Sequence, residues 1–303
     1  MENIIVVIVT YNRKHLLKRC LDAVALQTYK PHLIYIIDNA STDGTKDYLY
    51  KEGFLKGPLN GMTICYEQLP KNIGGAGGFY TGIKLAHEAG CDGVWVMDDD
   101  GVPDKDCLKN LVEHMDKYDY LSPLVVDVEN KDVTSFMGCT VSEFLKREKD
   151  GMVEGCANPF NGILYSKGLI DAVGYPKKEM FIWGDEINYD LRAREKGFVP
   201  VVVVDAIHQH PLNRQMTVKY WRNRSMTTSN SDWKLFCYVR NRTYNSKKFS
   251  GVLSCLKLMA SDFLKFFCYY GLKTYEWKKV GLIIKAMRKG FNEDFSGLDK
   301  YMN

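Results

Sequence analysis

The chain has no Cys-x-x-Cys pair, no zinc-type spacing of cysteine and histidine, no internal repeat, no low-complexity tract and no apolar run long enough to span a bilayer. Each absence removes a class of protein. Nine cysteines, an odd number without paired spacing, argue for reduced thiols in a cytosolic compartment over a disulfide framework. The most apolar segment is interrupted by Lys257, Asp262 and Lys265 within the roughly 20 residues a membrane span requires. The opening "IIVVIVTYN" lacks the basic region and small-residue cleavage site of a secretory signal, so the protein is expected to stay inside the cell.

What is present reads as globular: 303 residues, 46% hydrophobic and 26% charged, enough for one large domain or two moderate ones. Charge is unevenly spread. Residues 211–303 carry 18 Lys and Arg against 6 Asp and Glu, a local charge of +12, which leaves −8 on residues 1–210 of a chain whose total is +4. In the basic part, cations alternate with aromatics and aliphatics, as in "KLFCYVRNRTYNSKKFSG". That pattern suits amphipathic helices on an anionic membrane surface, and equally a solvated basic face on ordinary helices or a homo-oligomer interface. Nucleic acid is not expected as a partner, because no binding motif accompanies the charge.

Residues 4–9 form a continuous run rich in Val and Ile, as a strand buried on both faces of a parallel sheet does. Helical spacing in "RKHLLKRCLDAVALQ", a short run "HLIYIID", a strand around "MTICYEQ", the helix-like "GFYTGIKLAHEAG" and the strand "GVWVM" follow in alternation. This order predicts an α/β fold: a mostly parallel sheet flanked by helices, with ligand-binding loops at the strand C-termini. Irregular strands between about 120 and 180 are expected to complete the sheet. The domain expectation is 1–210 for this region and 211–303 for a basic, aromatic-rich helical region.

Four motifs bear chemistry. "NIGGAGGFYTGI", residues 72–83, sets four glycines in five positions before a helical pattern, which suits close backbone approach to a phosphate or, as well, a tight packed turn. It does not complete the dinucleotide fingerprint, since Tyr80 stands where the last glycine belongs. The strand "GVWVM" ends in Asp98-Asp99-Asp100, and alternation along an extended chain aims Asp98 and Asp100 one way, towards one divalent ion; a polar turn or cap is the alternative. Asp185 and Glu186 follow Phe181-Ile182-Trp183-Gly184 at the start of a helix, where acids cap well and where a base beside a stacking platform would also sit. His208 and His210 end the strand-like "VPVVVVDAIHQH", as metal ligands or as hydrogen-bonded structural groups.

Taken in order, "VVIVTYNR", "IIDNASTDGT", "NIGGAGGF", "MDDD", "FIWGDEINYDLR" and the strand-end histidine resemble family 2 glycosyltransferases of the GT-A fold. The resemblance covers about residues 3–210, and "NIGGAGGF" with "FIWGDE" is most similar to bacterial galactofuranosyltransferases; rhamnosyltransferases using dTDP-rhamnose are the close alternative. It implies an inverting, metal-dependent transferase acting on a UDP-sugar donor. Thr10, Tyr11 and Asp38 would hold the uridine, with Asn72, Gly74, Gly75 and Gly77 bordering the donor pocket. Asp98 and Asp100 would bind Mn²⁺ or Mg²⁺ on the donor diphosphate, with His208 matching the metal-ligating histidine more closely than His210. Glu186 would be the base, with Asp185 the other candidate, and Trp183 would line the acceptor site; apart from the resemblance, Arg240 and Arg242 of "YVRNR" are read as turning inward to the diphosphate. The acceptor implied is a glycan or lipid-linked glycan of a cell-surface polysaccharide, and the location cytoplasmic, peripheral on the inner face of the cell membrane. A nicotinamide oxidoreductase, also α/β, fits less well because the glycine fingerprint fails and acids crowd a strand end.

Overall fold

The computed structural model describes residues 3–212 and 216–302. They fall into two compact units, one built from the chain up to Lys178 and again from Tyr189, the other from Glu179–Asn188 and the C-terminal third.

The first unit is organised by β1 (Ile4–Thr10), buried at every position. It lies parallel between β2 (Leu33–Asp38) and β4 (Gly93–Asp98), and β3 (Thr63–Gln68) adds a parallel edge to β2. Helices α1 (Lys14–Ala25), α2 (Thr45–Lys51) and α3 (Gly74–Glu88) make the connections. The two faces of β1 feed two cores: Ile4, Val6 and Ile8 pack with α1 residues such as Leu17 and Leu21, while Ile5, Val7 and Val9 pack with Phe79 and Ile83 of α3. Burial on both faces is why this strand reads as unbroken apolar sequence. The register sets Thr10 opposite Asp38 and Val9 opposite Asp98, so one rim of the sheet carries Thr10, Asp38 and Asp98.

After β4 come β5 (Val102–Pro103), α4 (Cys107–Val112), β6 (Tyr120–Asp127), α5 (Val141–Leu145), β7 (Met152–Glu154), β8 (Asn161–Ser166), α6 (Lys167–Val173), α7 (Asp185–Glu195) and β9 (Val201–His210). Among the described residues the sheet runs β3-β2-β1-β4-β8-β6-β9-β5, with β7 added on β9. The strands expected between 120 and 180 do complete it. β8 enters antiparallel between β4 and β6, and β5 and β7 also run against the parallel majority.

The glycine segment does not precede a helix; it is the helix. α3 starts at Gly74, and a Cβ at Gly78 would come 2.5 Å from Val9 Cγ1, one at Gly82 2.2 Å from Val7 Cγ1. Bare backbone here brings α3 down onto β1, which offsets the poor helix propensity of glycine, about 1 kcal/mol per residue relative to Ala.

The second unit holds a hairpin, β10 (Met216–Trp221) and β11 (Arg224–Thr228), followed by α8 (Asp232–Ser250), α9 (Val252–Phe266), a π-helical turn at Phe267–Lys273 and α10 (Trp277–Phe291). Leu235, Phe236 and Val239 of α8 pack with Leu282, Ile283 and Ala286 of α10 to form its core. The first turn of α7, through Asn188, belongs to this unit. No helix among the described residues is long and apolar enough to cross a membrane.

Candidate functional site

Three acids leave the end of β4. Asp99 turns inward and is completely buried, accepting from the Thr10 hydroxyl at 2.6 Å and pairing with Arg13 Nη2 at 2.7 Å. Burial pushes its carboxyl up to about 7, against the opposing pull of Arg13 and Thr10. Asp98 closes β4 and Asp100 lies in the turn that follows it, and both come together with His210, the last residue of β9. Ligand atoms of these three residues lie within 4.8 Å of one another, and among the described residues this is the one such group able to share a metal ion. Arg13 Nη1 reaches Asp100 Oδ2 at 2.8 Å. Burial works against the charge of Asp100, yet His210 and Arg13 hold its carboxyl down at about 2.

The donor set suits a cation. His210 Nδ1 lies 2.6 Å from the Pro211 carbonyl oxygen, so Nδ1 carries the proton it donates there and Nε2 is left as the other ring nitrogen. Nε2 in turn faces Asp100 Oδ1 at 3.1 Å, a buried oxygen that receives no well-formed hydrogen bond. With Nε2 unprotonated, two lone pairs would confront each other, an arrangement relieved by a proton on the ring or by a shared metal ion. Imidazole nitrogen with two carboxylates is a donor set able to hold a divalent cation.

This geometry brings His210, and not His208, to the two acids. His208 is fully buried and packed between Gly101 and Gly162, where an added Cβ would come 2.2 Å from Nε2 and 2.7 Å from Nδ1 respectively. Neither ring nitrogen has a partner, and burial pushes its pKa down to about 3. His208 fills the space beneath the acid turn, and His210 is the residue brought to Asp98 and Asp100.

Along the same rim, Tyr11 is exposed, but Thr10 is 1% exposed and its hydroxyl is committed to Asp99. Asp38 is fully buried too. Its Oδ1 accepts from the Ser41 N–H at 2.8 Å and its Oδ2 from the Tyr66 hydroxyl, so both oxygens are already engaged. Burial, then the neighbouring Asp38, raises the Tyr66 hydroxyl well above its ordinary pKa. At the start of α3, Asn72 Oδ1 accepts from Gly74 N–H and Asn39 Oδ1 from Ile73 N–H, each at 2.8 Å. Two amides of that helix end are therefore satisfied internally. Gly75 is half-buried with open space where its Cβ would be, whereas Gly77 is buried against Ile73.

The acid pair stands on the second unit. Glu186 is half-buried and accepts from the Gly184 N–H at 2.8 Å, capping its own helix; Asp185 is 4% exposed. Trp183 is half-buried, edge-on to Tyr238 with ring centroids 6.3 Å apart and with Lys234 Nζ 5.9 Å from its centroid. Arg240 is not available to a diphosphate. It is completely buried, donating to the carbonyls of Met180 at 2.8 Å and Phe295 at 3.1 Å, because the turn before α7 needs donors for its inward carbonyls.

Residues that sequence reasoning passed over are Arg13, Asn39, Asn241 and Asn245. Arg13 had a signal, a cation three positions beyond the end of a buried strand whose neighbour strand ends in acids.

The model of the family described as glycosyl transferase family 2 matches residues 5–159. Galactofuranosyltransferase GlfT1 of Mycobacterium tuberculosis is 29% identical over 309 residues, covering 97% of each chain. Among solved structures, TarS 1-349 of Staphylococcus aureus in complex with UDP superimposes with a TM-score of 0.54 at 17% identity, over 99% of this chain and 89% of that one. Mannosyltransferase PcManGT of Pyrobaculum calidifontis, solved with GDP-Man and Mn²⁺, does so with 0.53 at 15% identity, over 97% and 88%. These likenesses establish the GT-A fold.

Proposed function

Because the chain belongs to glycosyl transferase family 2, we propose that it transfers galactofuranose from UDP-galactofuranose, with inversion, to a glycan or lipid-linked glycan acceptor. The observation that carries the reading is the Asp98–Asp100–His210 cluster at the strand-end rim, where a sheet of this kind binds ligands. Neighbours that share the fold are solved with UDP or with GDP-Man and Mn²⁺, and the relative GlfT1 is a galactofuranosyltransferase.

In this mechanism Asp98, Asp100 and His210 would hold Mn²⁺ or Mg²⁺, which when bound supplies Lewis-acid neutralisation of the donor diphosphate. Arg13, held by Asp99 and Asp100, adds a fixed cation beside them. Tyr11 and half-buried Gly75 offer exposed surface on the rim for the donor, with Asp38 and Thr10 shaping it from beneath. The acceptor hydroxyl attacks the anomeric carbon opposite the leaving diphosphate. The new C–O bond forms as the bond to the phosphate oxygen breaks, and Glu186 takes the hydroxyl proton. One displacement inverts the centre without a covalent intermediate. Glu186 is assigned over Asp185 because it is half-buried where Asp185 is buried, and Trp183 offers an indole face to an acceptor sugar. Incubation with UDP-galactofuranose or dTDP-rhamnose and a glycan acceptor, read by product mass, tests the donor. A product heavier by one hexose, formed only from the UDP donor, is expected, and addition of a deoxyhexose only from dTDP-rhamnose would reverse the assignment.

We further propose that the second unit docks on an anionic bilayer. α9 exposes Val252, Leu253, Leu256, Phe263 and Leu264, and an apolar groove of about 540 Å³ lies between it and α10. An uncovered apolar face of this kind marks an interaction site, and the +12 charge of residues 211–303 selects an anionic partner. Of the cations there, Lys247, Lys279 and Lys289 pair with Glu293, Glu276 and Asp294, which leaves Lys248, Lys278 and Arg288 as the foremost candidates. Each cation near such a surface contributes about 1 kcal/mol, screened by salt. Co-sedimentation with phosphatidylglycerol vesicles is expected at low salt, weakening as salt rises and lost in Leu253→Asp/Leu256→Asp. Absence of pelleting at low salt, with a dimeric mass by light scattering, would assign the face to a second copy.

A further inference from the structure

One stripe of α8 is spent on the turn that delivers the acid pair. Lys234, Tyr238, Asn241 and Asn245 recur at helical spacing, so they share a face. Lys234 and Tyr238 flank the Trp183 ring. Asn241 and Asn245 grip the backbone. The single Nδ2 of Asn241 lies 2.9 Å from the Met180 carbonyl oxygen, 3.0 Å from that of Ile182 and 2.8 Å from that of Trp183. Asn245 Nδ2 donates to the Gly184 carbonyl at 2.8 Å, and its Oδ1 accepts from Asn188 Nδ2 in α7 at 3.0 Å. Arg240 Nε holds the Asn241 amide oxygen at 3.0 Å, which orients the amide so that its NH₂ faces the turn.

The turn requires such a grip. Phe181, Trp183 and Gly184 have φ of 69°, 58° and 96°, left-handed values that non-glycine residues avoid. Strained backbone of this kind persists only where surrounding structure overdetermines it. Asn241 and Asn245 are buried, so each amide that lost its carbonyl would strand a polar group away from water. A plain helix cap would need none of this, since Glu186 already caps α7 through the Gly184 N–H.

We propose that Asn241 and Asn245 are positioning residues for the transfer reaction: they hold the Trp183–Gly184 backbone in its left-handed conformation and thereby aim the Asp185–Glu186 pair. The inference rests on the acid pair supplying the base. It is tested by measuring kcat, donor KM and UDP affinity for Asn241→Ala and Asn245→Ala, each in the wild-type, Glu186→Gln and Asp185→Asn backgrounds. Alone, each Asn variant is expected to lower kcat by about 10-fold or more while UDP affinity stays within about 2-fold. Combined with the acid variant that is itself impaired, the same Asn change is expected to add little, because residues acting as a unit are non-additive. An equal loss in the wild-type and the impaired acid background, or an unchanged kcat in the wild-type background, would overturn the inference. Full kcat in both acid variants would instead refute the base assignment on which it rests. Should Asn241→Ala fail to fold, as read by circular dichroism, Asn245→Ala carries the test, since it loses one carbonyl contact and the Asn188 amide while the three carbonyls at Asn241 stay held.

Discussion

Asp100→Asn is expected to abolish most turnover while the protein still melts cooperatively near the wild-type temperature. Asp100 is the acid through which the cluster is wired, with Oδ1 on His210 Nε2 at 3.1 Å and Oδ2 on Arg13 at 2.8 Å. An amide in its place keeps the size but removes one of the two carboxylate charges facing His210, so a divalent ion loses both a ligand charge and the partner that sets the imidazole. The structural cost is small. The charge lost is one that Arg13 and His210 favour, but its removal also relieves repulsion from Asp98 and Asp99, and the amide oxygen still accepts from Arg13. Steady-state rates with added Mn²⁺ and after EDTA, beside a thermal melt, make the measurement. Full activity in EDTA would end the metal reading, whatever the variant did. Asp99 provides the contrast, because it faces Thr10 and Arg13 inside the fold; Asp99→Asn should be milder in turnover.

The parallel half of the sheet and the acid turn were legible because their physics is local. A strand buried on both sides, such as Ile4–Thr10, cannot read otherwise than as a run of apolar residues, and acids crowded at the end of such a strand stand out by composition, although Asp99 and Asp100 lie in the turn beyond β4, where alternation does not set their directions. Strand order is not local: nothing in "NGILYS" says that it inserts antiparallel between β4 and β6. The glycines of α3 misled in an instructive way. Their propensity speaks for a loop, and only the approach of Gly78 and Gly82 to Val9 and Val7 explains why a helix forms instead.

The candidate site divides along the same line. His208 and His210 are two residues apart on one strand and are equivalent by periodicity; what separates them is that Gly101 and Gly162 close over one ring while the other stands at the strand end. Arg240 looked like an inward cation in search of an anion, but its buried partners are carbonyl oxygens. Asn241 and Asn245 were hidden for a related reason. Polar residues at helical spacing in a basic segment read as a solvated face, and their burial depends on a turn some sixty residues earlier, as the separations of 58 to 61 in their hydrogen bonds record.

For the acid pair, Glu186→Gln is expected to lower kcat by about 10²-fold or more, the scale on which a general base contributes, with little change in donor affinity. The substitution is unusually clean. Glu186 Oε2 accepts from the Gly184 N–H at 2.8 Å, and the amide oxygen of glutamine accepts the same bond, so the start of α7 keeps its cap while the side chain loses its capacity to take a proton. Asp185→Asn is a different experiment, since Asp185 is 4% exposed and its change acts inside the packed turn. It should lower activity through the placement of the pair, with a measurable drop in melting temperature. The comparison that decides is single-turnover rate at saturating UDP-galactofuranose for both variants, with UDP affinity by calorimetry as the control for folding of the donor site. A Glu186→Gln rate close to wild type beside an inactive, normally folded Asp185→Asn would move the base to Asp185. Two variants that both bind UDP and both turn over normally would take proton transfer away from α7 altogether and return the pair to helix capping.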